Sequence, residues 1–269
     1  MLTQDLISDT SRFRLLLRVS DTGAHAVIFA PDSDGSLINA PLPFSPSADP
    51  VKDLQEVIYD NPLLLNEFSS TIIVIEPRVT FPMPSELDFP LRRDIIARQC
   101  DLSSSELIDD PSGLNSSLFT GVISRDLFTF LRRTFPSATL TTHLGTLTRY
   151  FASRPGRGTT PRTLASFRPD AVDVVITSGN RLLLANSFRF TDPDDAVFYL
   201  LACRRALGIE EENSEVQLTG HRPHRMTVTT RLRQFVPRVM PAIFPPELFK
   251  AGKDSLLAPF DLMISSLTL

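Results

Sequence analysis

Cysteine is scarce, long apolar runs are missing, and neither sign of charge is in large excess. Cys100 and Cys203 are the only cysteines among 269 residues. Two are too few for a disulfide scaffold, so a reducing, cytoplasmic setting is expected. No apolar run approaches membrane-spanning length. The opening decapeptide, MLTQDLISDT, lacks both the basic start and the apolar core of a signal peptide. Direct membrane insertion is therefore not expected. A net charge of −4 and a pI near 5.6 give no global attraction to nucleic acid.

The motifs of several enzyme classes are missing as well. There is no G-x-G-x-x-G. Gly252-Lys253 is not a P-loop, because Glu247 occupies the first glycine position and Asp254 follows the lysine. His221 and His224 stand three apart with no carboxylate or thiol close in sequence, so His221-Arg222-Pro223-His224 reads as an exposed loop rather than a metal site. His25 and His143 are isolated, with no nucleophile motif near either. No catalytic residue and no metal ligand is assigned.

What is present is a pattern that occurs twice. A hydrophobic fraction of 42% and a charged fraction of 22% are those of an ordinary soluble protein. Residues 13–19 and 24–30 read as strands around the turn Ser20-Asp21-Thr22-Gly23. A third strand is expected between 36 and 44. Asp49-Pro50 opens a helix carrying Val51, Leu54, Val57 and Ile58, and 71–75 is a strand apolar on both faces. In the second half, strands are expected over 163–167, 171–177 and from Leu182, the last two joined by Ser178-Gly179-Asn180. Asp192-Pro193 then opens a helix with Asp195 at the capping-box position and an apolar stripe of Ala196, Leu200, Cys203 and Leu207. Arg204 and Arg205 fall in its last turn, where positive charge complements the helix dipole, and Gly208 ends it. A short strand over 216–219 follows. Asp192 lies 143 residues after Asp49, residue 216 lies 144 after 72, and residue 171 lies 147 after 24. Near-constant offsets through the same order of elements point to a duplicated α/β unit. Subdomains over 1–153 and 162–269 are expected, joined by a linker at 154–161 within the Gly- and Pro-rich stretch SRPGRGTTPR.

The block at 182–208, with N-S-F closing a leucine-rich strand and D-A-V-F-Y-L-L opening a helix, resembles an uncharacterised bacterial family assigned an actin-like ATPase fold, of the ribonuclease H-like type. The layout is more distantly similar to PilM-type pilus-assembly proteins. The resemblance implies two related subdomains with mixed sheets, each opening with a three-stranded meander. Nucleotide-binding members of that wider group carry a D-x-G turn in the first hairpin of each domain, whose N–H groups meet phosphate and whose aspartate acts through the metal. The matching positions are Asp21, Thr22 and Gly23 in the first half. In the second half they are Ser178, Gly179 and Asn180, with no aspartate. The glycine pair often found after the later strand is replaced by Gly220-His221.

The expected function is therefore a non-catalytic scaffold or adaptor that binds a protein partner, with no cofactor. The alternative is a nucleotide-binding protein or weak ATPase that uses ATP with magnesium in the cleft between the two subdomains. Asp21-Thr22-Gly23-Ala24 is also an aspartic-protease signature, but that chemistry needs two aspartates sharing a proton, and no second D-T-G or D-S-G exists. Asn186 interrupts the apolar series Leu182, Leu184, Phe188, Phe190. An unpaired buried amide costs about 1–3 kcal/mol, so it is expected to be buried with its amide on main-chain groups. The competing reading puts it in the cleft, facing a ligand.

Overall fold

The computed structural model describes residues 2–3, 6–45, 49–114, 116–154, 159–210, 212 and 214–269. Four residues of the expected linker, 155–158, lie outside that set. Two compact units are present. One comprises Met1–Asp110, Phe119–Thr146 and Phe244–Leu269, the other Pro111–Leu118 and Leu147–Ile243.

The first unit opens with the meander β1 (Arg14–Val19), β2 (Gly23–Phe29) and β3 (Ile38–Pro43). Helix α1 (Pro50–Tyr59) follows, then β4 (Ser70–Ile75). Asp49 caps α1, accepting from the N–H groups of Val51 and Lys52 at 3.0 and 3.2 Å, and Pro50 fills a first-turn position that needs no donor. Next come β5 (Val79–Pro84), α2 (Phe89–Ala97), β6 (Ser105–Pro111), β7 (Ser117–Ser124), α3 (Arg125–Thr134), β8 (Thr139–Thr142) and α4 (His143–Ala152). The main sheet has the order β3-β2-β1-β4-β8, with β2 antiparallel to both its neighbours and β4 parallel to β1 and β8. A smaller sheet has the order β5-β7-β6.

Alternation along β1 supplies both faces of the main sheet. Leu15, Leu17 and Val19 enter one core with Ile73 and Ile75 of β4 and Leu54 and Ile58 of α1. Leu16 enters another with Ile72, Val74, and Leu262 and Met263 of the C-terminal helix α7 (Phe260–Thr268). The expectation that 71–75 is buried on both faces is met. The expected second subdomain extends to residue 269, whereas α7 packs on β1 and β4.

The second unit repeats the plan with β9 (Pro161–Phe167), β10 (Ala171–Ser178), β11 (Arg181–Arg189), α5 (Pro193–Ala206), β12 (Glu215–Gly220), α6 (Arg222–Leu232) and β13 (Val239–Pro241). Its sheet order, β11-β10-β9-β12-β13, matches the first strand for strand, in direction as well as in place. Both α1 and α5 connect the third strand to the fourth. Asp192 caps α5 by a reciprocal capping box with Asp195. The core is the face carrying Ala165, Val172, Val174 and Ile176 under α5 and α6.

Two local expectations need correction. Asn186 is exposed, and no hydrogen bond of its side chain is found among the described residues. It pairs with Val174 and so lies on the helix-covered face, between Leu184 and Phe188, which pack against that core, but β11 is the sheet's edge strand. Alternation gave the face correctly; the edge decided the burial. Arg204 lies in the last turn of α5 as expected. It is fully buried and donates to Thr163 Oγ1 at 3.1 Å and to Ser214 Oγ. Residues 221–224 do not form a loop, because α6 begins at Arg222, with Pro223 in the first turn where its missing N–H is harmless.

Candidate functional site

In the first unit the parallel strands β1, β4 and β8 end side by side at Val19, Ile75 and Thr142. In open α/β sheets the carboxyl ends of the strands are where ligands bind. A cavity of about 300 Å³ lies there. Its floor is apolar: Val19, Val51, Leu54, Ile123 and Leu127. The rim carries Asp21, Asp49, Glu76, Asp126 and Arg78. The amino ends of α1 and α3 open on it, but each is already capped, α3 by Ser124 Oγ accepting from Leu127 N–H at 3.2 Å. Glu76 is tied back by Arg18 at 3.2 Å, and Arg18 also reaches Asp261 of α7 at 3.3 Å. Four carboxylates against one rim guanidinium make this mouth repel a polyanion unless a cation accompanies it.

The Asp21-Thr22-Gly23 turn borders this cavity through Asp21. Asp21 and Thr22 are exposed. Part of the turn's hydrogen-bonding capacity is turned inward. Ser20 N–H and Oγ both donate to Gly23 C=O, at 3.0 and 2.9 Å, and Thr22 N–H meets Ser20 Oγ at 3.4 Å.

The counterpart in the second unit is smaller. Ser178 pairs with Arg181, so only Gly179 and Asn180 form the turn. Gly179 has φ +56° and Asn180 does not enter the left-handed region, the pattern of a type II′ hairpin. Ser178 Oγ donates to Thr159 C=O at 2.6 Å, which ties the turn to the segment entering β9. Such a turn has no loop of free N–H groups with which to surround a phosphate. The retained glycine, Gly220, serves packing. It has φ +84°, and a Cβ there would lie 2.1 Å from the Phe167 carbonyl oxygen.

One polar cluster escaped the sequence reading. Asp110, at the end of β6, is buried, and its Oδ2 accepts from Thr142 N–H (2.7 Å), Thr142 Oγ1 (2.8 Å) and Thr141 Oγ1 (2.9 Å). Gly145 in the first turn of α4 leaves the room: a Cβ there would lie 2.0 Å from Oδ2. The carboxylate thus sits at the amino end of a helix, satisfied by donors and dipole together. Thr-Thr-His-Leu-Gly at 141–145 was the available signal, a threonine cap before a helix, but nothing in it names Asp110 as the partner.

The His221 and His224 ring centroids are 4.5 Å apart, and His224 Nε2 lies 3.0 Å from Pro169 C=O. Burial, and then the neighbouring imidazole, hold the His221 pKa below its ordinary value. No cluster of three metal-binding side chains exists among the described residues. Cys100 and Cys203 are free thiols, and burial raises the pKa of Cys203. No helix is long and apolar enough to cross a membrane among the described residues.

Two meanders of identical order, each followed by a helix and two parallel strands, define an actin-like fold. The chain is similar over 90% of its length, and over 94% of the other, to a Bacteroides thetaiotaomicron protein of actin-like ATPase fold and unknown function, with a TM-score of 0.78 and 22% identity. It is also similar, over 95% of its length and 97% of the other, to a chain of the PilM–PilN type IV pilus biogenesis complex, with a TM-score of 0.56 and 13% identity. The chain belongs to the family described as protein of unknown function DUF3822, whose model matches residues 4–239. No curated protein matches it in sequence.

Proposed function

We propose that this protein is a non-catalytic scaffold or adaptor that uses an actin-like fold to bind a protein partner, in a reducing cytoplasmic setting. The observation that carries this reading is the second hairpin. Nucleotide turnover on this fold draws on phosphate turns from both repeats, and here the second is a two-residue turn whose Ser178 hydroxyl is engaged by Thr159. Turnover also needs a held metal-triphosphate and a positioned water. The similar PilM–PilN structure is a complex of a protein of this fold with another protein, which supports partner binding as a use of the fold.

The alternative, binding of ATP with magnesium, rests on Asp21 and its neighbours. The rim carboxylates Asp21, Asp49 and Asp126 could attract a cation and through it a phosphate. Titration calorimetry with Mg-ATP separates the two readings. The scaffold reading expects no saturable heat. Saturable binding that disappears in Asp21→Ala selects the alternative.

A further inference from the structure

Among the described residues the three sheets have six edges, and five carry a device that blocks the addition of another strand. Edge strand β3 holds Pro41 and Pro43, which cannot donate. Edge strand β5 holds Pro82 and Pro84. Edge strand β6 carries Glu106, Asp109, Asp110 and Pro111. Edge strand β8 has four residues, and β13 has three, ending in Pro241. Short strands, charges and prolines are the ordinary means by which sheets avoid pairing with other chains.

Strand β11 is different. It has nine residues, no proline and no charge except at its two ends, Arg181 and Arg189. Its single irregularity is a bulge that leaves Leu183 unpaired between Leu182 and Leu184. The bulge disturbs the first half and leaves Ala185–Arg189 in regular register at the sheet's edge. Phe188 of that stretch stacks on Tyr199 of α5 with centroids 4.9 Å apart, and Tyr199 touches the Phe198 ring, which is 64% exposed. An apolar row thus climbs from the open edge onto the helix above it.

We propose that the β11 edge is an interface for a second copy of this chain, joined by antiparallel pairing of β11 with β11 about a two-fold axis at Ser187. That register sets Asn186 opposite Phe188 of the second copy and Ala185 opposite Arg189, so no like charges face one another. Pairing centred on Ala185 would instead oppose Arg181 and Arg189. With the axis at Ser187, Arg181 runs past the end of the copy's strand to the start of its α5, where Asp192 and Asp194 hold Arg231 at 3.3 and 2.6 Å and, with Asp195, leave a net negative charge. The contact is isologous, so it closes at a dimer and leaves no further free β11 edge. A lone added strand would satisfy the main chain but bring no helix beside the exposed Phe198, whereas a second copy brings its own α5. Asn186 then has a role that its exposure alone does not give: a neutral, hydrogen-bonding side chain at a position that must stay open to pairing.

Sedimentation equilibrium of the full chain tests this, comparing wild type with Asn186→Lys and Arg181→Glu. Both sites are exposed, and unchanged far-UV circular dichroism confirms folding of each variant. Wild type is expected to dimerise. A lysine on the edge should weaken association at least about tenfold, and a glutamate facing the acidic start of α5 should weaken it by a similar factor. A wild type that stays monomeric at about 100 µM overturns the proposal. Self-association that Asn186→Lys leaves unchanged overturns the edge, and self-association that Arg181→Glu leaves unchanged overturns the register. None of these results bears on nucleotide binding, so the scaffold reading is tested separately.

Discussion

Replacing Gly220 with alanine should damage the second unit's sheet rather than a ligand site. Gly220 ends β12 opposite Phe167 of β9, with φ +84°. An L-residue held left-handed costs about 1–2 kcal/mol. The added Cβ would also lie 2.1 Å from the Phe167 carbonyl oxygen and 2.7 Å from its nitrogen, both main-chain atoms that cannot swing aside. The two strands must part locally, and the bond from His221 N–H to Phe167 C=O, now 2.8 Å, is then lost at about 1 kcal/mol. The sum is about 2–3 kcal/mol. Gly208 is the control. It has φ +65° after α5, but nothing lies within 4 Å of the Cβ position, so its alanine variant should lose only the conformational part, about 1 kcal/mol. Urea unfolding followed by far-UV circular dichroism measures both. Equal destabilisation of the two variants, within about 0.5 kcal/mol, would refute the close-approach reasoning.

Arg168 and Asp173 form a buried bidentate pair at 3.1 and 3.0 Å, with Ser187 Oγ donating to the same carboxylate at 2.6 Å. Arg168→Leu should destabilise by about 3–5 kcal/mol, and the double variant with Asp173→Leu by much less; urea midpoints check the order. His25 is partly buried beside Arg18, its Nε2 lies 2.6 Å from Asn39 Oδ1, and burial lowers its pKa from 6.5. The unfolded chain therefore takes up the proton first as pH falls. The stability that neutral His25 contributes is fully present above pH 6.5 and is lost as pH drops through the folded-state pKa. His25→Gln should flatten the stability profile just below pH 6.5, as read from urea midpoints across that range.

Much of the fold was legible because its signals are local. Asp-Pro before an apolar helix is a capping sequence wherever it occurs, and both copies, Asp49-Pro50 and Asp192-Pro193, cap as expected. The repeat made the two meanders and their following helices readable together. What the sequence could not show was long-range. The sheet β5-β7-β6 lies between β4 and β8 in the chain, where no repeat guided the eye. Asn186 was assigned to the correct face but the wrong exposure, because alternation reports a strand's sides and not its place in the sheet. Arg204 stands in the last turn as expected, but its burial depends on Thr163 and Ser214, which its own helix does not announce. Of the candidate site, the Asp21 turn was readable from its motif, while Asp110 depended on a β6–β8 approach that no spacing revealed.

The central claim is that the fold is used here without nucleotide turnover. Phosphate release from Mg-ATP by the purified full chain, alongside Asp21→Ala, tests it most directly. Wild type and variant are expected to be alike, with no release above background. Release by the wild type that disappears in Asp21→Ala would contradict it and make Asp21 a catalytic-site residue.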